Sequence, residues 1–332
     1  MLTLSASYAD KDDQFLEFDD TLLEEELVYP DWFKISIGDL NEDIKEAAAA
    51  GKTGIMVYFG QKLCAYCEQF LKENVGAPDI ERYIREHYDI IPIDIWGIED
   101  IIDTNGETYT ERDLALRYKT NFTPSLVFYD LDGKPVFRLR GYYPPYKFRA
   151  ALHYVTEGFY RQETFKDYLD RAEPGVFFML AGLNERDFFA EPPYDLDRSK
   201  KPGTEHLAVF FEQGDCHSCD LLHTGPLNED TTIDEILKMK TVQLNIWSDT
   251  PVITPQGKAT TAREWAKDLN LFYTPTIIFY DFNGKEIMRI DSVVQYYRLL
   301  GVLEYINQQA YLTDTDYQTW RLKQRKTSNS NL

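Results

Sequence analysis

All four cysteines of the chain fall into two Cys-x-x-Cys pairs, Cys64-Ala-Tyr-Cys67 and Cys216-His-Ser-Cys219, with none left over. A thiolate at the leading position attacks a disulfide, and a second sulfur three residues on displaces the mixed disulfide so formed. This chemistry predicts Cys64 and Cys216 as nucleophiles, with Cys67 and Cys219 as the resolving groups. If each leading cysteine begins a helix, unpaired backbone N–H groups and the helix dipole favour its ionised form. Two other uses of such pairs compete. Four-cysteine zinc modules separate their knuckles by ~15 to 20 residues, whereas here 216 − 67 − 1 leaves 148. A purely structural bridge closes so small a ring that it constrains the unfolded chain weakly.

The residues between the cysteines differ. His217 in the second pair favours the Cys216 thiolate electrostatically when protonated, or is an ordinary exposed loop histidine. Tyr66 in the first pair offers a flat contact to substrate, or covers the start of the helix. The sequence does not choose in either case.

An internal repeat positions these groups. Superposing the two cysteine pairs requires an offset of 216 − 64 = 152, and Trp96, Phe122-Thr-Pro124 and Asp132-Gly-Lys134 then fall on Trp247, Tyr273-Thr-Pro275 and Asn283-Gly-Lys285 at 275 − 124 = 151. A single gap aligns about a hundred residues, too long a period for a solenoid unit. In each copy a short apolar run, Gly54 to Phe59 or His206 to Phe211, reads as a buried strand leading into the cysteines. Helical spacing follows over Glu68 to Val75 and Asp79 to His87, then a strand over Ile90 to Trp96. A polar excursion through Asn105-Gly106 leads to a helix cap at Thr110 and a helix over Leu114 to Tyr118. A hairpin turns at Asp132-Gly133, and an amphipathic helix closes each copy, near Tyr146 to Arg161 and Tyr296 to Tyr311. Trp96 and Trp247 end strands, where core packing outweighs a place beside the redox pair.

The order strand, Cys-x-x-Cys, helix, strand, helix, Thr-Pro, hairpin, helix resembles the thioredoxin family over about residues 30 to 160 and 204 to 312. The resemblance implies an α/β protein of two thioredoxin-like domains in tandem, each a mixed central sheet flanked by helices. It also implies that Thr123-Pro124 and Thr274-Pro275 are cis-proline loops that dock substrate beside the cysteines; Tyr66 and His217, between the cysteines, are further candidate substrate contacts by position alone. Cys64-Ala-Tyr-Cys67 with a Thr before the proline is similar to bacterial disulfide isomerases. The longer polar excursion and Pro30-Asp-Trp-Phe33 resemble bacterial thioredoxin-related proteins of the SoxW-like type, which are often exported. Two departures stand out. The family's buried acid six residues before the leading cysteine is Tyr58 in one copy and Phe210 in the other, and Leu63 and Asp215 replace the tryptophan that precedes the pair in thioredoxin.

The expected organisation is an N-terminal extension over 1–29, a first domain over 30–164, linker elements and a second domain over 165–312, and a polar C-terminal tail over 313–332. A net charge of −21 disfavours nucleic acid and anionic membrane surfaces, and no apolar run approaches a membrane span. Ser7-Tyr8-Ala9 before Asp10 reads like a cleavage site, which favours an exported, periplasmic protein over a cytoplasmic one. No Gly-rich phosphate loop or metal-binding loop occurs, so no cofactor is expected beyond the cysteine pairs themselves. The expected function is thiol–disulfide oxidoreduction on protein disulfides, favoured in the reductase or isomerase direction, with an upstream thiol reductant or oxidant as partner. The alternative is a peptide-binding, chaperone-like tandem protein with auxiliary cysteines.

Overall fold

The computed structural model describes residues 16–171, 182–313 and 316–329. The candidate cleavage site at Ser7 to Ala9 lies outside them. The chain divides into two compact units, one holding Asp19–Tyr168 and the other Leu16–Phe18 with the residues from Leu169 onward.

In the first unit, α1 (Leu40–Ala49) starts at Asp39, whose carboxylate accepts from the N–H groups of Asn41 and Glu42. It precedes β1 (Gly54–Gly60), every residue of which is buried. After the first cysteine pair come α2 (Ala65–Gln69), running on as a π-helical stretch Phe70–Val75, and α3 (Pro78–His87). Then follow β2 (Tyr88–Asp94), β3 (Asp100–Ile102), β4 (Thr108–Thr110), α4 (Glu111–Arg117), β5 (Ser125–Asp130), β6 (Pro135–Arg140) and α5 (Pro145–Thr156). The sheet order is β2-β1-β5-β6. β1 runs parallel to β2 in register Gly54↔Tyr88 and antiparallel to β5 in register Gly54↔Asp130. The β5–β6 hairpin turns through Gly133, whose φ of +75° suits glycine.

The second unit repeats this pattern. After α6 (Phe165–Asp170), whose residues up to Tyr168 belong to the first unit, and β7 (Tyr194–Asp195) come β8 (Leu207–Glu212), α7 (His217–Thr224), α8 (Asp230–Ile236), β9 (Lys240–Asn245), β10 (Pro251–Ile253), β11 (Ala259–Thr261), α9 (Ala262–Asp268), β12 (Thr276–Tyr280), β13 (Glu286–Ile290) and α10 (Tyr296–Asn307). Its main sheet is β9-β8-β12-β13, with β8 parallel to β9 and antiparallel to β12. Each central strand is covered by helices on both faces, which explains its unbroken apolar sequence. Both copies are therefore mixed sheets flanked by helices.

Three features differ from the sequence reading. The polar excursion is not loop alone: β3 and β4 pair antiparallel, Asp100↔Thr110, and β10 and β11 repeat this in the second unit, where β7 adds a third strand. Strands of three residues are too short for their alternation to show. The C-terminal residues are not a polar tail, because Tyr317–Asn329 form α11 and bury Tyr317 and Trp320. The rings of those two residues pack on Tyr305 of α10 at 5.5 and 5.3 Å. Their neighbours are so polar that two apolar anchors do not stand out as a stripe. Nor do residues 19–29 stand apart as an extension, since they belong to the first unit and Leu22 forms an antiparallel bridge with Cys64.

Candidate redox sites

Both cysteine pairs stand at a strand-to-helix junction and are closed as disulfides, with Cα separations of 5.1 and 5.2 Å. Cys64 is the N-cap of α2 and Cys216 the N-cap of α7. The Cys67 N–H donates to Cys64 Sγ at 3.0 Å, and the Cys219 N–H to Cys216 Sγ at 3.1 Å. A backbone donor aimed at the leading sulfur, together with the helix dipole, favours a thiolate there once the bridge is opened. The resolving sulfurs lie in wholly buried residues, while Cys64 and Cys216 are 6% and 8% exposed. That is less open than a leading nucleophile at a helix mouth is expected to be.

The Thr-Pro loops lie directly against the leading sulfurs. Cys64 Sγ is 3.3 Å from Thr123 Oγ1 and 3.8 Å from the Thr123 carbonyl, and Cys216 Sγ is 3.6 and 3.8 Å from the same atoms of Thr274. The Thr123–Pro124 and Thr274–Pro275 peptide bonds are cis. Each loop is braced by a hydroxyl at the start of the next strand: Ser125 donates to the Phe122 carbonyl and Thr276 to the Tyr273 carbonyl, both at 2.7 Å.

Tyr66 and His217 part company. Tyr66 is buried, and its hydroxyl donates to Asp20 at 2.9 Å, so it presents no open face to a substrate in this structure. His217 begins α7 and is exposed. The tryptophans pack on the cores as expected, and each also reaches toward its redox site. Trp96 Nε1 donates to Gln61 Oε1 at 3.0 Å, and Gln61 Nε2 donates to Thr123 Oγ1 at 2.9 Å. Trp247 Nε1 donates likewise to Gln213 at 3.0 Å. Sequence reasoning does not single out Gln61 and Gln213, although they match at the repeat offset, three residues before each leading cysteine.

The units differ in what lies behind the cysteines. Tyr58 is wholly buried, and burial pushes its hydroxyl well above the usual tyrosine range, so it stays neutral and accepts no proton. The second unit instead buries Glu212 and His223, whose Nε2 lies 3.0 and 3.1 Å from the two carboxylate oxygens. Gln243 Nε2 also donates to Glu212, at 3.1 Å. His223 is four residues after Cys219, so both lie on the same face of α7. The repeat places Gly60 and Leu71 at these positions in the first unit, so the pair belongs to one copy alone. Removing one partner of such a buried pair strands the other. Glu212→Ala is expected to lower the unfolding free energy of the second unit by about 3 kcal/mol in urea titration. A change below about 1 kcal/mol would show that the pair is not structurally committed.

A family model described as a thioredoxin-like domain matches residues 40–156 and again 193–307. Among solved structures, a thioredoxin-fold protein from Helicobacter pylori is 26% identical over 36% of this chain and 84% of that chain, with a TM-score of 0.33. A thioredoxin from Thermus thermophilus is 27% identical over 34% of this chain and 81% of that chain, with a TM-score of 0.28. A domain of the alkylhydroperoxide reductase AhpF from Enterococcus faecalis is 13% identical over 80% of this chain and 97% of that chain, with a TM-score of 0.23. No curated protein matches the chain significantly. The two matched stretches make up more than half of the sequence, and each holds one Cys-x-x-Cys pair and one Thr-Pro loop: the chain belongs to the thioredoxin-like domain family, as two copies in tandem.

Proposed function

We propose that the protein is a thiol–disulfide oxidoreductase working on polypeptide disulfides through both cysteine pairs, in the reductase or isomerase direction. The observation that carries this reading is the placement, in both copies, of a helix-capping sulfur within 4 Å of a Thr-Pro loop and at hydrogen-bonding distance from a backbone N–H. In the reductive direction the Cys64 thiolate attacks one sulfur of a substrate disulfide. The substrate S–S bond breaks, its departing sulfur leaves as a thiolate, and a Cys64–substrate disulfide forms. Cys67 then gives up its proton and attacks Cys64 Sγ. This closes the Cys64–Cys67 bridge and releases the second substrate thiol, two electrons having passed to the substrate. Cys216 and Cys219 perform the same steps, and a thiol donor must reopen each bridge for another cycle. An exported location, where substrate disulfides persist, fits this use.

Substituting the resolving cysteines tests the reading. In a Cys67→Ser, Cys219→Ser chain, reduced and mixed with a disulfide-containing protein, covalent adducts should accumulate at Cys64 and Cys216 and dissolve on adding dithiothreitol. Absence of adducts at both positions would end the proposal.

A further inference from the structure

The residues ahead of the first repeat occupy the ground in front of Cys64. Their contacts run in antiparallel order: Tyr66 Oη donates to Asp20 at 2.9 Å, Leu22 bridges Cys64, and the Leu27 N–H donates to the Lys62 carbonyl at 2.9 Å. Glu26 adds an exposed ion pair with Lys62 at 3.2 Å. The segment thus meets the backbone that leads into the cysteines through one bridge and one further backbone hydrogen bond, at a place distinct from the Thr-Pro loop.

Burial shows how the segment is held. Between Asp19 and Val28 only Asp20 is buried, while Leu22 is 44% and Val28 85% exposed. Beside it an open groove of about 700 Å³ runs between residues 23–31 and Glu68, Leu71 and Lys72. Core burial does not anchor this stretch. It is held by backbone pairing and the carboxylates of Asp20 and Glu26, much as a bound peptide is held when it pairs with exposed backbone. Displacing it costs little buried apolar area, and the cysteine that Leu22 bridges is only 6% exposed.

The second unit carries a parallel observation. Leu16, 2% exposed, lies among Ser218, Leu222, Tyr273 and Pro275, and Gln295 donates to its carbonyl. Ser218 sits inside the second cysteine pair and Pro275 in its Thr-Pro loop. There too the N-terminal segment fills the surface beside a redox site.

Building on the oxidoreductase reading, we propose that residues 19–28 are a tethered occupant of the first site's docking edge, which substrates must displace and whose pattern they share. Leu22 stands opposite Cys64, where a substrate cysteine must sit for sulfur exchange, and Asp20 precedes it by two residues. The preferred substrate is therefore an extended polypeptide whose cysteine follows a carboxylate by two positions, the Tyr66 hydroxyl donating to that carboxylate.

The test uses the full chain with Cys216→Ser and Cys219→Ser, so that only the first pair works. The probes are two synthetic peptides spanning the sequence of residues 17–28 with cysteine in place of Leu22, linked to glutathione by a disulfide. One keeps aspartate at the place of Asp20 and the other has alanine there. The aspartate peptide should be reduced about tenfold faster at low concentration, a preference that Tyr66→Phe removes. A chain with Asp20→Ala and Leu22→Pro should reduce both peptides about tenfold faster than its parent, and iodoacetamide should reach its reduced Cys64 faster by a similar factor. Equal rates for the two peptides, or for parent and variant, with the parent active, would overturn this proposal alone. A parent that reduces neither peptide nor insulin would overturn the oxidoreductase reading and this proposal with it.

Discussion

A chain carrying Cys64→Ser and Cys216→Ser together is expected to lose reduction of insulin and of glutathione mixed disulfides by at least about a thousandfold. Disulfide exchange needs a thiolate on the attacking side, and a serine hydroxyl, far less acidic and forming no stable bond to sulfur, offers no covalent route. Both leading sulfurs accept a backbone N–H at 3.0 to 3.1 Å, so the two sites have the same means of favouring a thiolate, and either single variant should keep the activity of the other site. The double variant also separates enzyme from binder. In a peptide-binding protein with auxiliary cysteines, turnover would be absent from the parent while peptide affinity survived both substitutions. Turnover retained in the double variant would sink the proposed mechanism outright.

Phe59→Ala and Phe211→Ala form a second, matched pair of experiments. These residues correspond at the repeat offset and are wholly buried in the central strands of their units. Phe59 meets Tyr118 with ring centroids 5.6 Å apart, and Phe211 meets Trp265 edge-on at 5.1 Å. Truncating a buried phenylalanine loses transfer free energy and leaves a cavity, costing about 3 to 5 kcal/mol. Whole domains are stable by only ~5 to 15 kcal/mol. Each substitution should therefore shift the urea transition of its own unit strongly, and the cysteines of that unit should become open to alkylation at lower urea. A loss below about 1 kcal/mol in either unit would contradict the close packing seen around these rings.

What could be read without coordinates was whatever local pattern encodes. The cysteine spacing, the apolar strands before each pair, the Thr-Pro landmarks, the Asp-Gly and Asn-Gly turns and the Thr110 cap all lie within short windows, and duplication supplied an internal check on each. The Thr110 hydroxyl does accept the Asp113 N–H at 3.1 Å, and α4 begins one residue after it. The three-residue strands β3, β4, β10 and β11 failed the same approach because they offer no period. α11 failed because two aromatic anchors in a basic, polar stretch do not make an apolar stripe.

The site itself divides along the same line. Spacing and residue type by themselves pointed to the atoms that the proposed exchange would use, because a cysteine three residues from another beside a helix start has few other uses. Only the tertiary structure decided what surrounds them. Asp20 and Tyr66 are 46 residues apart, Gln61 and Thr123 are 62, and Glu212 and Gln243 are 31. Hydrogen bonds across such separations depend on how strands and helices pack in space, and no short stretch of sequence carries that information.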